Sequence, residues 1–218
     1  WGMGTVNPKL WEDWDDADLR KQASIINVKD KKEIVYYANG GGSQMDETYY
    51  MQKKYTPIMV KNSEGVLVNY SCVLYNMTET NYLLTNTQDL VLMRFSDVLL
   101  MAAELGAPNA QNYLDRVRNR VSLPSVPATL ENIKNERRFE LAFEGVRYYD
   151  LLRWHDWNVI TENQTDIKVR NNSVETQKTV TFRSETGGFL QIPKTEIELS
   201  GGVLKQNPGW EGTGNYLD

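Results

Sequence analysis

The sequence has little of the chemistry that metal and thiol sites require. Its 218 residues contain one cysteine, Cys72, and one histidine, His155. A single cysteine excludes an internal disulfide framework and a thiolate metal cluster, and we expect it to behave as a small apolar side chain. A single histidine excludes a histidine-rich zinc site and argues against a Ser-His-Asp triad. The sequence therefore predicts neither a metal site nor a cofactor.

Long hydrophobic runs and clustered positive charge are also missing. The longest apolar run, 98–103, has six residues, which is too few to cross a bilayer as a helix. Lys plus Arg number 24 against 29 Asp plus Glu, so the formal net charge is −5. This balance opposes binding to nucleic acid or to an anionic membrane. With 40% hydrophobic and 11% aromatic residues, the chain can still form a packed core.

Three regions differ in their residue patterns. We predict a loop-rich, ligand-binding part (1–88), a helical core (89–160), and a β-hairpin with a closing strap (161–218). The first region is rich in Tyr, Trp, Asn and Gly and contains short β-type runs at 33–37 and 66–74. Alternating runs at 166–170 and 179–183 predict the two strands of the hairpin.

The middle region shows the apolar spacing of helices. It predicts a helix from Asp89 to Leu105 that is apolar around most of its circumference. Gly106 and Pro108 predict a tight turn into a second helix, so the pair should form an αα-hairpin. Thr129 is the predicted cap of a third helix that ends at Glu144, and 147–157 predicts a fourth. Because the first helix is so apolar, we expect another segment of the same precursor to cover it.

Three glutamates of the third helix are the strongest candidates for catalysis. Glu136, Glu140 and Glu144 recur at every fourth position, which places their Cβ atoms about 5–6 Å apart on one helix face. Paired carboxylates are what a retaining glycoside hydrolase uses. Arg137 and Arg147 are expected on the same face, where they would keep the carboxylates ionised and oppose a general-acid role. We interpret these five residues as a structural ion-pair network, and glycoside hydrolysis is the alternative.

A cluster of acidic residues near the start of the chain is a weaker candidate. Asp13, Asp15, Asp16 and Asp18 approach the pattern of a calcium loop, but Ala17 occupies a ligand position and no glycine follows. We therefore interpret this cluster as a solvated acidic turn.

Aromatic residues concentrate in the loop-rich part, among Asn and Gly. Flat rings stack on the C–H faces of sugars, and polar side chains between them can bind hydroxyl groups. Core packing is the competing interpretation for any single ring, but the group indicates a carbohydrate or peptide surface. The residues that we predict to contact ligand are Trp11, Trp14, Tyr36, Tyr37, Tyr49 and Tyr50.

Several segments resemble the SusD/RagB family of nutrient-binding outer-membrane lipoproteins. The most specific is E-R-R-F-E-L-A-F-E-G at 136–145, within a block that covers 133–154. Others are the helix motifs at 93–104 and 114–120, the entry motif at 7–20, and the closing motifs at 190–197 and 206–209. Together these motifs span nearly the whole chain, which resembles the C-terminal half of the family.

The resemblance implies a mainly α-helical fold of tetratricopeptide-like hairpins with long loops and a small β-hairpin. It implies no catalysis and no cofactor, but binding of oligosaccharides, or of peptides in some branches, at the outer-membrane surface. The implied partner is a SusC-type TonB-dependent transporter, and the lipid anchor would lie on an N-terminal half that we expect to be missing here. The family's ligand residues lie in variable loops, so no site residue carries over. A helical module that only docks to proteins is a second alternative.

Overall fold

The computed structural model describes residues 5–29, 48–55, 59–69, 75–76, 89–171 and 174–212. Within these residues the chain is mainly helical with small two-stranded sheets, which confirms the predicted fold class. The helices are α1 (Pro8–Asp13), α2 (Leu19–Ser24), α3 (Phe95–Glu104), α4 (Ala110–Asn119), α5 (Leu130–Glu140), α6 (Arg147–Arg153), α7 (Trp157–Glu162) and α8 (Lys194–Leu199). The strands are β1 (Ile25–Asn27), β2 (Tyr50–Gln52), β3 (Met59–Lys61), β4 (Leu67–Asn69), β5 (Ile167–Asn171) and β6 (Val174–Lys178).

The chain divides into two compact units. The first comprises Trp1–Arg147 and Ile167–Gln177, and the second comprises Tyr148–Asp166 and Lys178–Asp218. In the first unit β1 pairs with β2 and β3 with β4, both antiparallel. The predicted β-type run at 33–37 lies outside the described residues. Of the run predicted at 66–74, the structure describes the part that contains β4.

Helices α3 and α4 form the predicted αα-hairpin. Gly106 follows α3 with a φ of 71°, a left-handed conformation that glycine adopts without steric cost. Its N–H donates to the carbonyl of Ala103 at 3.1 Å, which closes the helix end. The two helices pack with α5 around one hydrophobic core made of Leu99, Leu100, Ala103, Leu114, Val117 and Ile133.

Helix α3 begins six residues later than the apolar spacing predicts. Arg94, which precedes it, has an extended backbone with φ −142° and ψ 164°. Its Nε donates to Glu144 at 2.8 Å, so the side chain is committed to a partner 50 residues away.

The helix keeps exposed apolar side chains, among them Phe95 and Val98. In the part of the chain that the structure describes, no helix is long and apolar enough to span a membrane.

Two helix ends differ from prediction because of left-handed residues. Thr129 caps α5 as predicted, its hydroxyl accepting from the N–H of Asn132 at 3.3 Å. The helix ends at Glu140 rather than Glu144, and Phe143 follows with a φ of 67°, which a right-handed helix does not allow. Likewise His155, with a φ of 57°, divides the single helix predicted at 147–157 into α6 and α7.

The prediction of a strand at 179–183 is wrong, because the second strand of the hairpin, β6, lies earlier and ends at Lys178. Only two residues separate Asn171 from Val174, so the partner strand begins at once. Every residue of β6 is exposed, and such a strand has no buried face to give an alternating sequence pattern.

Candidate functional site

Trp11 and Tyr50 form a stacked pair at the surface of the first unit. Their ring centroids lie 4.9 Å apart with an interplanar angle of 18°, and both residues are half-buried. Trp11 is carried by α1, which Asn7 caps by accepting from the N–H of Lys9 at 2.9 Å. Tyr50 is carried by β2, and its carbonyl accepts from the N–H of Val6 at 2.8 Å. A helix start and a strand therefore place two of the predicted ligand rings together.

Trp14 lies beneath this pair rather than beside it. It is 2% exposed and packs at 5.0 Å from the ring of Phe139, in a core with Val6 and Ile25. Its Nε1 donates to Asp18 at 2.8 Å. A ring in the core offers no free face to a sugar, so the prediction of ligand contact does not fit its position. Trp14 instead belongs to the buried cluster against which Trp11 and Tyr50 pack.

A buried lysine fixes the Trp11 ring. Lys21 is 3% exposed, and its Nζ donates to the carbonyl of Trp14 at 2.8 Å and to Asp16 at 2.5 Å. The same Nζ lies 4.4 Å from the Trp11 ring centroid, within the range of a cation–π contact. Trp11 is therefore held by Tyr50 and by an ammonium group.

Tyr49 precedes Tyr50 but has different partners. Its φ is 67°, a strained value for a bulky side chain. It packs against the buried pair Ile26 and Val28, while its hydroxyl donates to Glu175 at 3.2 Å. Tyr36 and Tyr37 lie outside the described residues, so the structure places four of the six predicted rings.

The glutamates of α5 lie inside a dense set of ion pairs. Glu136 is 1% exposed and accepts from Arg20 at 2.5 Å and from Arg118 at 2.6 Å. Glu140, also 1% exposed, accepts from Arg20 at 2.8 Å, Arg94 at 2.5 Å and Arg120 at 2.8 Å. Both carboxylates are thus enclosed by guanidinium groups from other elements.

These contacts keep Glu140 ionised. Burial by itself would raise its pKa, but hydrogen bonds from Arg94 and Arg20 outweigh burial and lower the pKa to about 2. The pKa of Arg94 is raised in turn: burial opposes this rise, and Glu144 and Glu140 outweigh burial. A carboxylic acid with these neighbours has no proton to give at neutral pH.

The remaining network residues are placed differently from the sequence prediction. Glu144 lies beyond the end of α5, where it accepts from Lys54 at 2.5 Å and from Arg94 at 2.8 Å. Arg137 donates to Asp97 at 2.6 Å. Arg147 is half-buried at the start of α6. The spacing of the glutamates does not indicate their partners, which are Arg20, Lys54, Arg94, Arg118 and Arg120. The one available signal is that a carboxylate buried in a protein core is normally paired with a cation.

Asp18 connects the ion pairs to Trp14, whose core cluster the Trp11–Tyr50 pair packs against. It accepts from Nη2 of Arg20 at 2.7 Å and from Trp14, and it caps α2 through the N–H of Arg20 at 2.9 Å. Burial would raise its pKa, but the bonds from Arg20 and Trp14 lower it. Within the described ranges, no group of three or more His, Cys, Asp or Glu side chains is arranged to hold a metal.

The fold and the site define a class of protein: a helical-hairpin scaffold whose buried ion pairs support an aromatic surface. The family model of the SusD family matches residues 7–210, and the chain belongs to this family. SusD-like protein P2 of Formosa agariphila is 25% identical over 96% of this chain and 41% of its own length. The chain thus spans about 40% of the length of this relative.

Solved structures show the same relationship. Surface glycan-binding protein A from Bacteroides thetaiotaomicron, in complex with laminarihexaose, is 25% identical with a TM-score of 0.67, over 93% of this chain and 41% of that chain. A laminarin-binding SusD-like protein is 31% identical with a TM-score of 0.67, over 94% of this chain and 38% of that chain.

Proposed function

We propose that this protein is a non-catalytic glycan-binding protein of the cell surface, which captures oligosaccharides for a SusC-type TonB-dependent transporter. The observation that carries the proposal is the similarity of this chain to surface glycan-binding protein A from Bacteroides thetaiotaomicron, whose structure was solved in complex with laminarihexaose. Membership of the SusD family and the stacked Trp11–Tyr50 pair support it.

The binding surface would consist of rings held in place before ligand arrives. Trp11, Tyr49 and Tyr50 are half-buried, so each keeps some exposed area while its position is set by neighbours. Stacking on a sugar contributes about 1 kcal/mol per ring, as other aromatic pairings do. Several such contacts give weak, rapidly reversible capture, which suits transfer to a transporter. Tyr36 and Tyr37 remain predicted members of this surface.

The glutamate geometry supports binding rather than glycoside hydrolysis. A retaining hydrolase needs one carboxyl group that is protonated at working pH and another that is free to attack. Glu136 and Glu140 are each 1% exposed and each accepts from at least two arginines. A sugar cannot reach carboxylates in this position without breaking the ion pairs.

We further propose that the protein is an outer-membrane lipoprotein whose anchor lies in an N-terminal part. The relatives named above are more than twice as long as the matched region. Helix α3 exposes Phe95 at 62% and Val98 at 41%, and Leu105 follows it at 86%. Exposed apolar side chains of this kind mark an interface. They support the expectation that an N-terminal part of the same precursor covers this helix.

Calorimetric titration with laminarihexaose tests the proposal. We expect heat of binding for the wild type and a large loss of affinity in a Trp11→Ala, Tyr50→Ala double variant. Tyr149→Ala is the matched control, because Tyr149 is 69% exposed in the second unit and outside the proposed surface. Chromatography of the incubated hexaose should show no shorter products.

Two results would reject the proposal in different ways. Release of shorter sugars would favour the hydrolase. Absence of binding to any glycan tested, together with stable co-purification with a transporter, would favour a module that only docks to proteins.

A further inference from the structure

Glu12 follows Trp11 on α1 and has an exposed carboxylate. Among the residues that the structure describes, none forms a hydrogen bond or an ion pair with this side chain. The other acidic side chains of residues 12–18 each accept from a donor nearby: Asp13 from Arg138 at 2.7 Å, Asp15 from the N–H of Ala17 at 2.9 Å, Asp16 from Lys21 at 2.5 Å, and Asp18 from Arg20 at 2.7 Å. Glu12 is therefore the carboxylate of this segment that is available to an external donor.

The Glu12 carboxylate lies close to the stacked rings of Trp11 and Tyr50. It is carried by the residue next to Trp11, whose ring centroid is 4.9 Å from that of Tyr50. Burial raises the pKa of Tyr50, and the negative charge of Glu12 raises this pKa further. A charge acts on a phenol hydroxyl in this way only over a short distance, because salt water screens it beyond about 8 Å. Glu12 therefore borders the hydroxyl of Tyr50.

Neighbouring residues of α1 fix the backbone that carries Glu12. Leu10 packs against the buried cluster that contains Trp14. Asp13 accepts from Arg138 of α5 at 2.7 Å, which ties the end of α1 to the helical core. The side chain of Glu12 is exposed while the residues on both sides of it are anchored. Binding a ligand there requires little ordering of the backbone, which lowers the entropic cost of binding.

A carboxylate in this position suits the hydroxyl groups of a sugar. Its two oxygens only accept hydrogen bonds, so they can accept from two hydroxyl groups at once. Bonds from a hydroxyl to a carboxylate are charge-assisted and about twice as strong as bonds between neutral groups. Aromatic rings contribute apolar contact, whereas a few polar groups beside them set the orientation of the ligand. The same negative charge repels a carboxylate or sulfate that takes the place of a hydroxyl.

We propose that Glu12 binds hydroxyl groups of a neutral oligosaccharide at the Trp11–Tyr50 pair, and that its charge disfavours an anionic substituent at the same position. This inference rests on the proposed function, because it names the residue that orients the glycan on that surface and the class of glycan that it selects. The two rings provide the apolar contact, and Glu12 provides the acceptor that fixes the orientation of the sugar.

Calorimetric titration of a Glu12→Gln variant with two probes tests this role. The variant keeps the size of the side chain but loses its charge, so its affinity for laminarihexaose should fall about threefold to tenfold. Its affinity for sulfated laminarihexaose should rise about threefold at low salt, because the repulsion between like charges is gone. Lys29, whose Nζ lies 5.9 Å from the ring centroid of Tyr50, is present in both proteins, so the difference isolates the charge of Glu12. A merely structural role would not move the two affinities in opposite directions.

Glu131→Gln is the matched control and should leave both affinities unchanged. Glu131 is exposed in the first turn of α5, about 12 Å along the helix axis from Phe139, which packs on Trp14. Circular dichroism of each variant verifies the fold.

A measurement without ligand tests the position of Glu12. Nuclear magnetic resonance of labelled tyrosine should show a lower pKa for Tyr50 in the Glu12→Gln variant than in the wild type, because the charge that raises this pKa is removed. An unchanged pKa of Tyr50, an unchanged affinity of the variant for laminarihexaose, or no rise in its affinity for the sulfated probe overturns the role of Glu12 and leaves the proposed function standing. Absence of laminarihexaose binding by the wild type rejects both.

Discussion

Nη1 of Arg20 lies 2.5 Å from Oε1 of Glu136, although 116 residues separate them in the sequence. The same guanidinium reaches Glu140 and Asp18, and its side chain is 7% exposed. Arg20 thus joins α2, which follows the segment that carries Trp11 and Trp14, to α5 of the helical core. The pKa of Arg20 is raised: burial opposes this, but Asp18 and the two glutamates outweigh burial.

Replacing Glu140 with glutamine should strongly destabilise the protein. The change removes the negative charge that Arg20, Arg94 and Arg120 share, and breaking a buried ion pair on one side costs about 3–5 kcal/mol. Urea unfolding at pH 7 measures the loss. Glu131→Gln is the control, since Glu131 is exposed in the first turn of the same helix and should change stability by less than about 1 kcal/mol. Equal effects of both variants would contradict the role assigned to Glu140.

Stability should decline in acid because of the same carboxylate. The pKa of Glu140 is about 2 in the folded protein against an ordinary value of 4.5. Since the folded-state pKa is lowered, the stabilisation is complete above pH 4.5 and is lost as the pH falls toward 2. The shift corresponds to about 3 kcal/mol, and Asp18, whose pKa is also lowered, adds to it.

Urea unfolding between pH 7 and pH 3 measures this dependence. The Glu140→Gln variant should show a flatter profile than the wild type, because it no longer takes up a proton at this site. A wild-type free energy of unfolding that stays constant over this range would contradict the assignment.

Lys21→Met should weaken binding of laminarihexaose, if the protein binds it as proposed. The variant keeps the length of the side chain but removes the ammonium that lies 4.4 Å from the Trp11 ring and holds the carbonyl of Trp14. A cation–π contact contributes about 0.5–2 kcal/mol, so calorimetry should show affinity reduced by roughly twofold to thirtyfold. Lys9→Met is the control, because the Lys9 side chain is 44% exposed on α1. Identical affinities for the two variants would show that Lys21 does not position Trp11.

Two glycines of the closing strap separate steric from conformational effects. Gly209 and Gly212 have φ values of 79° and 73°, so alanine is strained at both and costs about 1 kcal/mol. At Gly209 a Cβ would also lie 2.9 Å from the backbone of Glu185, whereas at Gly212 it would meet nothing within 4 Å. Thermal unfolding should therefore show Gly209→Ala to be less stable than Gly212→Ala by a further 1–3 kcal/mol or so. Matching unfolding temperatures would contradict this close approach.

Local signals in the sequence were enough to predict the helical core. Gly106 after α3 and Thr129 before α5 act through their own backbone neighbours, so their roles can be read from adjacent residues. The helix face of Glu136 and Glu140 could be predicted for the same reason, because residues four apart lie on one side of a helix.

Contacts between distant segments could not be predicted in this way. Arg20 and Arg94 reach α5 from elements that no spacing rule relates to it. Glu144 lies outside α5 because Phe143 has a left-handed backbone conformation. A bulky residue rarely adopts that conformation, so the local sequence does not predict it. Trp11 and Trp14 are three positions apart, yet Trp14 is buried and Trp11 is half-buried, because the Trp14 ring packs on Phe139, which lies far away in the sequence on α5.

Glu140 receives its three arginines from α2, from the residue before α3 and from the residue after α4. A partly folded chain that buries Glu140 before these segments have docked would leave its carboxylate without the cations that compensate its charge. Intermediate states are penalised accordingly, and assembly of this region becomes cooperative. Substitutions in segments that do not contact these ion pairs should therefore leave the assembly of the helical scaffold unchanged.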